Sequence, residues 1–271
     1  MAGEQLSPEM GQLTTNDTQV ITSTHNSGVA AAAKLHKTRE RARSGKSLLE
    51  GAHLLDAALS QNLTIGPIFA LPDDRQSADL CNEHELPLTL VTPAVLGRIA
   101  ATVHPKGPVA VFEIPPFEEL ATRETLVLAG VADPGNAGAL IRSAAAFGFQ
   151  VAVALNGVDI WSPRVLRAGA GAHFLVRLAD LGDDPVSELT EAGLSPQVTV
   201  SAGGSWPPPR SQRPAAIIVG NEAHGVDPQI TAAAVQTVTI PLAPDVESLN
   251  ASVAGSLVMY ELAWRRNEDS K

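Results

Sequence analysis

Asp133-Pro134-Gly135-Asn136-Ala137-Gly138-Ala139-Leu140-Ile141-Arg142 is the stretch on which the fold of this chain turns. The apolar run Leu126 to Val131 leads into it and reads as a buried strand. Pro134 and Gly135 then force a turn. Asn136 takes the position of a helix N-cap, and an alanine-rich helix follows until Phe147-Gly148. Gln150 to Leu155 opens the next strand. The unit is strand, tight turn, helix and strand, with one amide and one guanidinium carried at or near the turn.

Downstream the pattern repeats. Strands are expected at Leu126–Val131, Val151–Leu155, Phe174–Leu178, Val198–Ser201, Ile217–Val219 and Val238–Pro241, with helices near residues 137–147, 163–169, 185–192 and 227–234. A longer helix, Asn250 to Arg266, closes the chain. Fully apolar strands alternating with helices imply an α/β fold with a parallel sheet covered on both faces. Gly203 to Pro214 holds four prolines and reads as a loop.

Upstream, residues 1–19 are polar and without periodicity, and are expected to be a disordered tail. Residues 20–113 read as a small α/β domain. It has a helix over Ala30 to Arg43, a strand over Ser47 to Glu50 and a helix over Ala52 to Leu59. Strands at Ile65–Leu71, Leu88–Val91 and Val109–Ile114 alternate with helices at Ala78–His84 and Ala94–Ala101. Residues 114–122, with Pro115-Pro116-Phe117-Glu118-Glu119, form a stiff linker. Residues 123–271 form the second domain, and 271 residues suffice for two.

Hydrophobic residues make up 44% of the chain and charged residues 18%, enough for a sizeable core. A single cysteine, Cys81, excludes an internal disulfide and fits a reducing compartment. The N-terminus lacks the basic start and apolar core of a signal peptide, and no apolar run reaches the roughly 20 residues of a membrane helix. A cytoplasmic protein without membrane contact is the expectation. The net charge of −10 argues against broad nonspecific affinity for nucleic acid. The charge is uneven, however. Residues 34–46 carry Lys34, Lys37, Arg39, Arg41, Arg43 and Lys46 against Glu40 alone. That stripe is either a solvated helix face or a phosphate contact.

Three turns leave the carboxyl ends of three expected strands, where ligands bind in open α/β sheets. The first carries Asn136 and Arg142. The second, Gly220-Asn221-Glu222-Ala223-His224-Gly225, follows Ile217 to Val219 and brackets a glutamate between glycines. The third runs from Ile240-Pro241-Leu242 through Glu247, Ser248, Leu249 and Asn250, with Ser248 in position to cap the last helix. The chain has no Gly-x-Gly-x-x-Gly fingerprint and no phosphate loop, and its seven histidines are dispersed, so neither a Rossmann dinucleotide site nor a metal site is expected.

At these loops the sequence resembles the SpoU (TrmH) family of RNA ribose 2′-O-methyltransferases in the SPOUT superfamily. The resemblance rests on Asn136, Gly138 and Arg142 followed by Ala145-Ala146-Phe147-Gly148, on Gly220-x-Glu222-x-x-Gly225, and on Ile240-Pro241 with Glu247-Ser248-Leu249-Asn250-x-Ser252, in the family's order and spacing. Ala251 and Asp245 depart from the usual pattern without touching a chemical role. The resemblance implies a deep trefoil knot in the second domain and a substrate-binding first domain similar to a ribosomal-protein (L30e-like) fold. It implies S-adenosylmethionine held by Val219, Gly220, Gly225, Ile240, Leu249 and Asn250, and a catalytic set of Arg142, Asn136, Glu222, Ser248 and Asn250. It implies a homodimer and no metal. The basic stripe would then hold RNA, with ribosomal RNA favoured over tRNA. A non-catalytic RNA-binding assembly factor on the same fold is the alternative.

Overall fold

A computed structural model describes residues 19–269. The expected tail lies outside these residues, apart from residue 19.

The first domain is a four-stranded sheet with helices on both faces. The elements are α1 (Ser27–Lys34), α2 (Thr38–Ser44), β1 (Lys46–Glu50), α3 (Ala52–Leu59), β2 (Ile65–Ala70), α4 (Arg75–Glu83), β3 (Leu88–Leu90), α5 (Pro93–Ile99) and β4 (Val109–Glu113). The strand order is β1-β4-β2-β3; β4 runs antiparallel to both neighbours and β2 parallel to β3. One face packs Val29, Leu35, Val95, Leu96 and Ile99 into a core of their own.

The stretch expected as a single helix over Ala30 to Arg43 is two helices. The chain turns at Leu35-His36-Lys37, where His36 Nε2 bonds to the Ile99 carbonyl at 2.9 Å and Arg41 Nη1 donates to the Leu35 carbonyl at 2.7 Å. No glycine or proline marks the break in the sequence; tertiary partners make it.

The second domain contains β5 (Thr125–Ala129), α6 (Pro134–Phe147), β6 (Gln150–Ala154), α7 (Pro163–Gly169), β7 (Leu178–Asp180), α8 (Pro185–Glu191), β8 (Ser195–Thr199), β9 (Ala215–Val219), α9 (Pro228–Ala233), β10 (Gln236–Val238) and α10 (Ala251–Asp269). All six strands are parallel, in the order β10-β8-β9-β5-β6-β7. Every residue of β5 and β9 is buried, as their unbroken apolar runs require. The strand expected at Phe174–Leu178 is displaced. Ala170 and Gly171 take positive φ, a short 3-10 turn follows over Ala172–Phe174, and pairing starts only at Leu178.

The two sheets share a core, and Pro115 to Glu119 does not separate them. Phe112 of β4 meets Trp161 and Phe174 edge-on, at ring distances of 6.1 and 5.8 Å. Ser47 Oγ donates to the Trp161 carbonyl at 2.6 Å. The linker itself is pinned along β7, where Glu118 N donates to the Leu178 carbonyl at 2.7 Å. Among the described residues, no helix is long and apolar enough to cross a membrane.

Candidate active site

Successive strands from β5 run to one side of the sheet, through β6 to β7, while β8, β9 and β10 occupy the other. The chain reverses its sense of addition between β5 and β9, and at such a switch point the carboxyl-end loops splay apart to leave a crevice. The loop after β5 and the loop after β9 both end here.

The β5 loop enters α6 through Asp133, whose Oδ1 accepts from Asn136 N at 2.8 Å. Asp133 is therefore the N-cap in place of Asn136, because Pro134 fills the first helical position, where no N–H is needed. Asn136 is consequently inside the first turn, 8% exposed, with its amide free for other partners. Gly138 on the same helix serves packing. A Cβ there would lie 2.5 Å from the Ala168 Cβ and 2.7 Å from Gly169 N, so only glycine lets α7 come this close.

The β9 loop doubles back on itself. Asn221 N donates to the Gly225 carbonyl at 2.9 Å and Gly225 N to the Asn221 carbonyl at 2.8 Å. A Cβ on Gly220 would stand 2.4 Å from the Gly225 backbone, and Gly225 itself has φ +68°. The two bracketing glycines are thus what permit the loop to close. Asn221 Oδ1 takes the N–H groups of Ala223 and His224, which leaves Glu222 at the tip.

The Glu222 carboxylate reaches across to the β5 loop. It accepts from Ala132 N and Asp133 N, both at 3.1 Å, and from Asn136 Nδ2 at 2.9 Å. Asn136 Oδ1 in turn accepts from Asn250 Nδ2 at 2.9 Å. Asn250 Oδ1 accepts from Ser252 N at 2.9 Å and Val253 N at 3.3 Å, so Asn250 caps α10 and Ser248 does not. One chain of hydrogen bonds, Glu222 to Asn136 to Asn250, thereby ties the three loops together. Partial burial alone would raise the Glu222 pKa, but the Asn136 amide and the backbone N–H groups outweigh it and lower the pKa. The carboxylate stays ionised.

Beside this chain opens a cavity of about 380 Å³ at the carboxyl ends of β8, β9 and β10. Val219, Gly220, Gly225, Ile240, Leu249 and Asn250, the residues expected to hold a cofactor, all line it, as does Ser248. The wall that sequence reasoning missed is Thr199, Val200 and Ser201 at the end of β8, together with Ala254 and Val258 of α10. The Ser201-Ala202-Gly203 turn directly after the expected strand Val198–Ser201 was the available signal. Glu222 is the only ionisable residue among those that line the cavity.

Arg142 is not part of this assembly. It lies six residues beyond Asn136 on α6, about 120° around the helix from Asn136. It is exposed, and among the described residues it forms no hydrogen bond or ion pair. The basic stripe is also redistributed. Arg41 is 3% exposed; its Nε donates to Asp159 Oδ2 at 2.8 Å and its Nη2 to Thr38 Oγ1 at 2.9 Å, so it is a strut between the domains and cannot contact RNA. Arg43 pairs with Glu40 at 2.9 Å and Lys46 with Glu113 at 3.5 Å. Lys34, Lys37 and Arg39 remain exposed. Among the described residues, no cluster of three or more His, Cys, Asp or Glu could hold a metal.

The chain is similar to known proteins in sequence and in fold. The SpoU rRNA Methylase family matches residues 124–260, and an MRM3-like substrate binding domain matches residues 26–110. An uncharacterized tRNA/rRNA methyltransferase of Synechocystis is 35% identical, over 91% of this chain and 94% of its own length. The Bacillus subtilis 23S rRNA (guanosine(2553)-2′-O)-methyltransferase RlmP is 31% identical, over 89% of this chain and 98% of its own. A crystal structure of an RNA 2′-O ribose methyltransferase superposes with a TM-score of 0.77 at 29% identity, covering 92% of this chain and 99% of that one. The SpoU methyltransferase AviRb from Streptomyces viridochromogenes, solved with AdoMet, has the same fold at 22% identity, with a TM-score of 0.78 over 89% of this chain and 98% of its own. Matched through most of its length, and holding the three loops in one hydrogen-bonded constellation, the chain belongs to the SpoU rRNA methylase family.

Proposed function

We propose that this protein transfers a methyl group from S-adenosylmethionine to a ribose 2′-hydroxyl of ribosomal RNA. The observation that carries the reading is the Glu222–Asn136–Asn250 chain, which fixes three loops around one cavity. The cavity fits the cofactor. Its volume of about 380 Å³ falls within the few-hundred-Å³ range of small-molecule sites. Its walls are apolar at Val219, Ile240, Leu249 and Val258, as an adenosyl group requires. No lysine or arginine is among its lining residues, so a nucleoside polyphosphate would lack a counter-charge, whereas a sulfonium finds the ionised Glu222.

When bound, S-adenosylmethionine supplies a methyl group on a sulfonium centre. The chain's own residues supply position and charge. Glu222 clamps the β5 loop, Asn136 transmits that clamp to Asn250, and Asn250 orders the start of α10 beside the cavity. Ser248 lines the same space, with a hydroxyl for the ribose. Arg142, its donors unspent, takes the adjacent phosphate and stabilises the developing alkoxide. A guanidinium stays charged, so it acts through its field and not as a base.

Arg142 reaches the cavity in our reading through a homodimer. Val253, Leu257, Tyr260 and Trp264 form an exposed stripe on α10 at helical spacing, and α10 packs on α6 through Phe147 and Tyr260, with rings 5.8 Å apart. Pairing of two such faces brings one protomer's α6 to its partner's site. The knot belongs to the same proposal, as do an L30e-like first domain, a cytoplasmic location, and Lys34, Lys37 and Arg39 as RNA contacts in the first domain.

Two measurements test this reading. Calorimetry with S-adenosylhomocysteine is expected to give micromolar or tighter binding; no heat at high micromolar ligand rejects it. Ribose mapping of ribosomal RNA from cells with and without the protein is expected to differ at a 2′-O-methyl site. A difference confined to tRNA would move the substrate and leave the chemistry.

A further inference from the structure

A second cavity, of about 480 Å³, lies over the carboxyl ends of β5 and β6, where the two domains meet. One wall is the end of the sheet, with Leu128, Val153 and the Leu155-Asn156-Gly157 turn. The other is α2 of the first domain, through Thr38, Ala42 and Gly45, together with the linker at Pro116 and Phe117. The turn falls in the part of the chain matched as a methylase, and α2 in the part matched as a substrate binding domain.

One loop separates this cavity from the cofactor cavity. Val131 lines the second cavity, while the next two residues, Ala132 and Asp133, donate their N–H groups to Glu222, which lines the first. The Asn156 turn is fixed to the same loop. Val158 N donates to the Val131 carbonyl at 2.8 Å, and a Cβ on Gly157 would stand 2.9 Å from that oxygen. Leu155, on the rim, is 44% exposed and takes φ +58°, a conformation that persists where the surroundings hold it.

The lining defines what fits. Arg41 and Asp159 are its only charged side chains, and they are paired with each other; the second Asp159 oxygen accepts from Trp161 N at 2.9 Å. A phosphate or carboxylate would therefore find no counter-charge inside, and a neutral group is favoured. Two accessible side chains have capacity to spare. Phe117 is 40% exposed, and among the described residues its ring meets no other ring. Asn156 is exposed, and among the described residues its amide makes no hydrogen bond, although an amide offers donors and an acceptor together. An aromatic face and an amide in one neutral cavity are the groups that hold an unstacked nucleobase, by stacking and by bonding to its edge. Cations stand outside: Lys37 and Arg39, which precede and follow Thr38, are exposed.

We infer that this cavity takes an unstacked nucleobase of the substrate RNA, with Phe117 against its face, Asn156 on its edge, and the neighbouring phosphates outside at Lys37 and Arg39. β6 and β9 flank β5, so their ends lie roughly 10 Å apart, and the base belongs to the methylated nucleotide or to one beside it. The choice of RNA as occupant rests on the methyl-transfer reading; the neutral character of the cavity does not.

The test uses the full chain and filter binding of ribosomal RNA from cells that lack the protein. Phe117→Ala is expected to raise the RNA Kd about tenfold, as for loss of one base stack. The slope of log K against log salt stays unchanged, because no phosphate contact is lost. Phe117→Trp is expected to keep the wild-type affinity. Ala42→Trp, which fills the cavity from the exposed side of α2, is expected to raise Kd as much as Phe117→Ala. Binding of S-adenosylhomocysteine and the melting temperature stay as in the wild type. An unchanged Kd in either Phe117→Ala or Ala42→Trp overturns the inference. A salt slope that flattens in Phe117→Ala overturns it too, since it identifies a backbone contact. Failure of the wild-type protein to bind S-adenosylhomocysteine, with these RNA results intact, would instead sink the methyl-transfer reading and leave the base pocket.

Discussion

Arg41 and Arg142 mark two regions that use the same side chain in opposite ways. At the seam between the domains, Arg41 is buried against Asp159, Thr38 and the Leu35 carbonyl, and its donors are spent on holding α2 in place. On the outer face of α6, Arg142 is exposed and makes no such bond among the described residues. The seam needs a satisfied guanidinium, because a buried charge without partners is costly. For the catalytic role we propose for Arg142, the α6 face needs an unsatisfied one, because only free donors can answer a phosphate or a developing alkoxide. On that proposal, the contrast separates an arginine that holds the fold together from one that acts on the substrate.

The largest effect should come from Arg142→Ala. Methyl transfer is expected to fall by roughly a hundred- to a thousand-fold, as for loss of one preorganised charge-stabilising donor, with S-adenosylhomocysteine affinity and melting temperature unchanged. Normal turnover by this variant would erase the contrast. Arg41→Ala should do the reverse. Stranding Asp159 at the seam is expected to cost about 3–5 kcal/mol of stability in denaturant unfolding, while each molecule still folded keeps its turnover. A variant as stable as the wild type would show that the strut is dispensable.

His173 sharpens the picture at the same seam. It is 2% exposed, its ring nitrogens lack hydrogen-bond partners, and its ring stacks at a tilt on Trp161 at 5.8 Å. Burial pushes its pKa down from 6.5 to about 4, only partly offset by the Ile160 backbone, which is near the ring but outside hydrogen-bond geometry. The folded protein therefore binds fewer protons than the unfolded chain between these values. Stability from this group is complete above pH 6.5 and is lost as pH falls toward 4, by up to about 3 kcal/mol. Chemical unfolding across that window measures it, and His173→Phe is expected to flatten the curve. The smallest effect belongs to Lys37 and Arg39, exposed like Arg142 but far from the cofactor cavity. Their joint replacement by alanine should raise the RNA KM several-fold and leave kcat alone. An unchanged KM would return them to a solvated face.

Much of this was legible in the chain itself, for a definite reason. The apolar strands Leu126 to Val131 and Ile217 to Val219, the Asp133-Pro134-Gly135 turn and the glycines around Glu222 are local signals, and each leaves a local structure. The helix over Ala52 to Leu59 was read with the boundaries it has. Position in sequence was a poorer guide to partners. Asn136 reads as a cap but is displaced from that role by Asp133, and Ser248 gives its role to Asn250, because capping depends on which side chain meets the free N–H groups. Residues 34–46 read as one basic face, yet one of its arginines is inside the protein and two of its cations are paired.

The sequence alone determined the alternation of strands and helices, the three glycine- and proline-punctuated loops and the chemical groups they carry, since periodicity and turn propensity act over a few residues. Tertiary structure alone decided the rest. It closed the Glu222–Asn136–Asn250 chain across more than eighty residues, buried Arg41 and left Arg142 open. Those outcomes depend on which desolvated polar groups find each other once the sheets assemble, and that pairing has no local signature.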